Sequence, residues 1–123
     1  MTDSRLVIQS IKGATVVTFQ DPNILETMQI QRIANTLYEL VDKQAQKRIL
    51  LDFSEVKFLS SQAIGVLLTL NKKSKAIKGE VCICGIRPEL MKVFKITRID
   101  SMFQFFAREQ DAIAAWEGRT TTG

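Results

Sequence analysis

Histidine is missing from all 123 residues. Its absence removes the usual general base of Ser-His and Cys-His pairs and the commonest nitrogen ligand of structural zinc. Cysteine is almost as scarce. The two present, Cys82 and Cys84, stand two apart in an apolar run, where a strand points both side chains to one face without favouring a bond between them. They are expected as reduced core residues, with no metal site. The six glycines form no GxGxxG, GxxxxGK[ST] or GxSxG pattern, which excludes the common nucleotide-binding and hydrolase motifs. Asp52 and Glu55 could be imagined as an acid/base pair, but a strand-end aspartate followed by a solvent-facing glutamate is ordinarily structural. The chain is therefore read as a non-enzyme without a cofactor. The N-terminus lacks a basic segment followed by a long apolar stretch, and no run approaches the roughly 20 apolar residues that span a bilayer. A cytoplasmic protein without a membrane span is expected.

What the sequence does hold is the material of one domain: 46% hydrophobic residues and 24% charged ones, spread along the chain. The net charge is +4, with a local cluster at Lys72, Lys73, Lys75 and Lys78. These lysines fall in the last turns of an expected helix, where cations complement the negative end of the dipole. No aromatic residues are interleaved with them, so direct nucleic-acid binding is not expected.

Residues 5–11 and 14–19, rich in Val, Ile and Thr and separated by Lys12-Gly13, have hairpin spacing. Asp21-Pro22-Asn23 breaks the pattern, and Ile30, Ile33, Ala34, Leu37 and Val41 then recur at helical intervals. Residues 49–53 form the short continuous apolar run of a central strand. Two serines, Ser60 and Ser61, precede a helix that is apolar nearly all round until its lysines begin, so its first half should be buried. Gly79 is expected to end that helix, residues 81–84 to form a buried strand, and Pro88 to open a helix with Leu90, Val93 and Phe94 as core contacts. Residues 102–106 read as a last strand and 111–116 as a last helix, with Ile113 and Trp116 on one side. The order β-β-α-β-α-β-α-β-α predicts an α/β fold, a mixed sheet of about five strands with four helices packed on it. The domain is placed at 1–117, with 118–123 as a frayed tail.

A serine between a strand-to-helix loop and an apolar helix is by default an N-cap, its oxygen accepting from the free amides there. That explains one serine of the pair and leaves the other. The residue three beyond Ser61 is Ile64, so no capping box is completed. A phosphate at a helix start is tolerated by the fold and adds up to about two negative charges to the surface.

The segment from Leu50 to Leu67, LLDFSEVKFLSSQAIGVL, resembles the central signature of STAS domains, in particular of bacterial anti-sigma factor antagonists, and the rest of the chain follows that family's order of elements. The resemblance implies a STAS fold and binding to an anti-sigma factor that is also a serine kinase. Phosphorylation blocks that binding, a phosphatase restores it, and sigma-factor-dependent transcription is regulated as the result. The family pattern runs apolar, apolar, Asp, Ser, Ser or Thr, Gly, apolar, Gly. Aligned on Phe58-Leu59 and Ile64-Gly65, it makes Ser61 the phosphoacceptor, with Ser60 the alternative. It implies partner binding by Asp21, Asn23, Ser60, Ser61, Gln62 and Gly65. Ser60 stands for the aspartate, Gln62 for the second hydroxyl residue, and Ala63 for the first glycine, adding a methyl where a partner backbone would approach. These departures keep open a second reading, a non-phosphorylated interaction module serving as scaffold or transport-complex subunit. A small-molecule sensor finds no phosphate-cradling loop here. A homodimer through the edge of the first strand is a further reading.

Overall fold

The computed structural model describes the backbone of residues 6–122 and the side chains of residues 6–118. Lys12 and Gly13 take positive φ, 49° and 83°, which a two-residue turn between twisted strands requires. They join β1 (Leu6–Ile11) to β2 (Ala14–Phe19), antiparallel from Leu6 opposite Phe19 to Ile11 opposite Ala14. A two-residue strand, β3 (Asn23–Ile24), leads to α1 (Thr27–Asp42), which buries Ile30, Ile33, Leu37 and Val41 at helical spacing. Then come β4 (Arg48–Asp52), a second two-residue strand β5 (Phe58–Leu59), and α2 (Ser61–Ala76). The described chain finishes with β6 (Glu80–Cys84), α3 (Pro88–Ile96), a 3-10 turn at Asp100–Met102, β7 (Gln104–Phe106) and α4 (Glu109–Thr122).

The main sheet has the order β1-β2-β4-β6-β7 and is parallel except for the first pair. Alternate residues of its central strands feed two separate cores. Val17, Phe19, Ile49, Leu51 and Ile83 meet α1, α2 and α3 on one face. Val16, Leu50, Cys82 and Cys84 meet Ala112, Ile113 and Trp116 of α4 on the other. Cover on both faces is why β4 and β6 read as unbroken apolar runs. The five-stranded mixed sheet and four helices are the expected α/β architecture, and both cysteines are free and buried on one face.

Several details differ from the sequence expectation. Val93 is 36% exposed, and only Leu90 and Phe94 of α3 enter the core. Met102 belongs to the 3-10 turn and β7 starts at Gln104, because Met102 N donates to Ile99 O and closes that turn first. Helix α4 continues past Gly118 to Thr122, each added residue gaining a backbone bond on a helix already nucleated. Gly79 has a different task from the one expected. The left-handed residue after α2 is Lys78, at φ 61°, whereas a Cβ on Gly79 would lie 2.7 Å from Ser74 Oγ and 2.8 Å from Lys47 O. Glycine is needed there for close packing of α2 against the chain entering β4.

Candidate functional site

The serine pair is positioned by the small parallel sheet of β3 and β5, in which Asn23 faces Phe58 and Ile24 faces Leu59. Pro22 O accepts from both Lys57 N (2.7 Å) and Phe58 N (3.0 Å), and Ile24 O accepts from Ser60 N (3.1 Å). These bonds tie the loop after β2 to the chain entering α2. Residues more than 30 positions apart in sequence, Asn23 and Ser60 among them, thereby come to one rim.

The two serines then part in role. Ser60 is the N-cap of α2, with extended backbone (φ −82°, ψ 166°), and its Oγ accepts from Ala63 N at 3.2 Å. Ser61 is the first helical residue and exposed, and its hydroxyl has no recorded bond among the described residues. The first turn of α2 holds no acidic side chain, so α2 itself supplies no carboxylate to the positive end of its dipole. Gln62 is exposed, and its Oε1 accepts from Thr27 Oγ1 at 3.4 Å, linking the starts of α1 and α2. Gly65 is exposed one turn further along α2, with nothing within 4 Å of where a Cβ would stand.

Ala63 behaves otherwise than the sequence suggested. It is only 5% exposed and packs in the core with Ile24, Ile30 and Leu67. Its methyl thus points into the protein and does not meet a partner's backbone. The substitution of Ser60 for an aspartate is likewise absorbed, since its hydroxyl performs the capping that a carboxylate would. Of the three departures from the family pattern, Ala63 faces the core, Ser60 is half-buried and Gln62 is exposed.

Asp21 and Asn23 reach the same end of the molecule by way of a residue the sequence reading missed. Gln29 Nε2 donates to Asp21 Oδ2 (2.9 Å) and to Asn23 O (3.1 Å), while its Oε1 accepts from Leu25 N (3.2 Å) and Glu26 N (3.4 Å). The signal for it was present: Glu26 and Gln29 stand three apart at a helix start, the spacing of a capping box. Asp21, Asn23, Glu26, Gln29 and Arg32 line an open cleft of about 600 Å³. Leu25, Met28 and Phe58 are 51%, 62% and 59% exposed at this end, giving the rim an apolar character.

Other chemistry is sparse. No group of three or more His, Cys, Asp or Glu able to hold a metal occurs among the described residues. The Cys84 thiol is pushed up to about 12, by burial first and then by the charges of Asp52, Glu109 and Cys82, which keeps it protonated. No helix among the described residues is long and apolar enough to cross a membrane.

Comparison with known proteins agrees with this geometry. The family model described as STAS domain matches residues 5–112. A protein of Bordetella bronchiseptica, BtrV, named as a candidate anti-sigma factor antagonist, is 25% identical over 113 residues, covering 92% of this chain and 95% of that one. The structure of an anti-sigma-factor antagonist (STAS) domain protein from Planctomyces limnophilus superposes with a TM-score of 0.81 at 24% identity, covering 93% of this chain and 98% of that one. The Bacillus cell fate determinant SpoIIAA in its phosphorylated form gives a TM-score of 0.71 at 17% identity, with 89% of this chain and 97% of that one covered.

Proposed function

This chain belongs to the STAS domain family, and from that premise we propose that it is an anti-sigma factor antagonist, a non-enzymatic binding protein switched by phosphorylation of Ser61. The unmodified protein captures an anti-sigma factor that is also a serine kinase, through the rim built from Asn23, Ser61, Gln62 and Gly65, and so frees a sigma factor for transcription. The kinase phosphorylates Ser61 and ends the capture, and a phosphatase restores it.

The observation that carries this reading is the division of labour at the start of α2. Ser60 is committed to the cap, and Ser61 stands exposed beside it without an acidic neighbour in the first turn. A phosphate on Ser61 lies at the positive end of the helix, so the fold accommodates it. Its charge of up to about two units falls beside the exposed apolar side chains of Leu25, Met28 and Phe58, where a partner would have to desolvate it. The internal placement of Ala63 also supports the reading, since the altered motif leaves the outward face of α2 open at Gly65.

The test is incubation of the purified protein with the cognate serine kinase and ATP, followed by mass spectrometry and a binding titration. Phosphate is expected on Ser61 and not on Ser60, Ser61→Ala should take up none, and Ser61→Asp should weaken capture. A stable complex indifferent to both Ser61 substitutions, with no phosphate incorporated, would replace this proposal by the constitutive interaction module.

A further inference from the structure

Phe58 is 59% exposed, yet its backbone is fixed by its own N–H bond to Pro22 O, by that of Lys57 to the same oxygen, and by the pairing of β5 with β3. An exposed aromatic side chain on a fixed backbone is a suitable anchor, because it offers a large contact area with only two side-chain torsions to order. Beside it lies a groove of about 260 Å³ lined by Lys57, Phe58, Arg87 and Glu89. Arg87 Nε is buried and has no hydrogen-bond partner among the described residues. Neither Lys57 nor Arg87 forms an ion pair among the described residues. Arg87 also precedes α3 as its N-cap without a side-chain capping bond, so the positive end of that helix adds to the two cations.

The Arg87 guanidinium and the Lys57 ammonium thus line the groove without an ion-pair partner among the described residues, and the group that suits them best is a carboxylate, which Arg engages with two parallel bonds. The geometry points to this groove as a docking site for a partner-protein segment that carries a carboxylate next to an apolar side chain. The carboxylate sits between Lys57 and Arg87, and the apolar group packs on Phe58. This assignment rests on the reading of the Ser61 rim as a docking surface and extends it by naming the partner's chemistry. Phe58 stands three residues before Ser61, no more than about 10 Å along the chain. A phosphate on Ser61 therefore adds negative charge to the same rim as Phe58. That charge opposes a second anion bound nearby, the more so at low salt. Glu89, at the rim, opposes an anionic occupant in the same way and more weakly.

The probe is N-acetyl-glutamyl-leucine amide, titrated into the full chain labelled with nitrogen-15, with the glutaminyl analogue as control. The acidic peptide alone should shift the amides of Lys57, Phe58, Glu89 and Leu90, with a dissociation constant of about 1 mM, in the range expected of so small a ligand. Arg87→Ala and Phe58→Ala should abolish the shifts at unchanged melting temperature, Lys57→Ala should weaken them, and Glu89→Gln should strengthen them. Equal or absent shifts with the two peptides would overturn the groove assignment. In a titration with the cognate kinase, Arg87→Ala should weaken capture about tenfold or more. Capture that responds to Ser61→Asp but not to Arg87→Ala refutes the groove and leaves the Ser61 switch standing. Peptide binding in a protein whose partner ignores Ser61→Asp refutes the switch and leaves the groove.

Discussion

Replacing Gly65 by alanine should make the protein more stable and a poorer binder at once. The residue lies within α2 and is exposed, and an added Cβ would find nothing within 4 Å. No steric term opposes the change, so the intrinsic helix preference acts alone and contributes about 0.8–1.0 kcal/mol in favour of alanine. For a chain of 123 residues this corresponds to a rise in melting temperature of roughly 3–5 °C. The same methyl stands on the face that carries Ser61, one turn along. In a packed interface it would cost about 1–3 kcal/mol, or tenfold and more in affinity. Thermal unfolding followed by circular dichroism, and calorimetric titration with the cognate partner, measure the two effects separately. A fall in melting temperature would refute the steric argument, and unchanged affinity would remove this face of α2 from the interface.

Ser60→Ala should lower stability by about 1 kcal/mol through loss of the cap on Ala63 N, whereas Ser61→Ala should stay within about 0.5 kcal/mol, both read from urea midpoints. Gly79→Ala should destabilise by about 1–3 kcal/mol, since its Cβ would meet Ser74 Oγ at 2.7 Å and Lys47 O at 2.8 Å. A neutral result would show that the two segments can separate at little cost. Cys84 titrates at about 12 when folded against 9.0 for the free thiol. The unfolded chain loses this proton first, so the contribution of Cys84 is complete below pH 9.0 and declines as pH rises toward 12. Cys84→Ala should flatten the alkaline decline in stability relative to the unmodified protein, and identical pH profiles would contradict the assignment.

The sheet was legible because its strands are long enough to show a pattern: residues 49–51 and 81–84 announce two-sided burial by having no polar break. The serine cap was legible for a different reason, as Ser60 stands directly before an apolar helix. What escaped is structure too short or too remote to carry a period. The strands β3 and β5 have two residues each, and two residues display no alternation. Their pairing depends on backbone bonds to Pro22 O and Ile24 O, which side-chain identity does not encode. Exposure of Val93 was misjudged because it depends on which neighbour covers a helix face, a tertiary fact, while for Ala63 the helix pattern pointed to burial and the family motif to a partner. Ala63 illustrates the point best: from the motif alone its methyl belongs to the partner, and in the fold it belongs to the core.

The joining of β3 to β5 means that the surroundings of Ser61 exist only in the folded protein. An enzyme acting there meets a composite of two distant stretches of chain, and an unfolded or newly made copy presents none of it. A short synthetic peptide around Ser61 would therefore be a poor stand-in for the protein in kinase screening. On the proposed reading, modification at this serine would also report that the domain has folded.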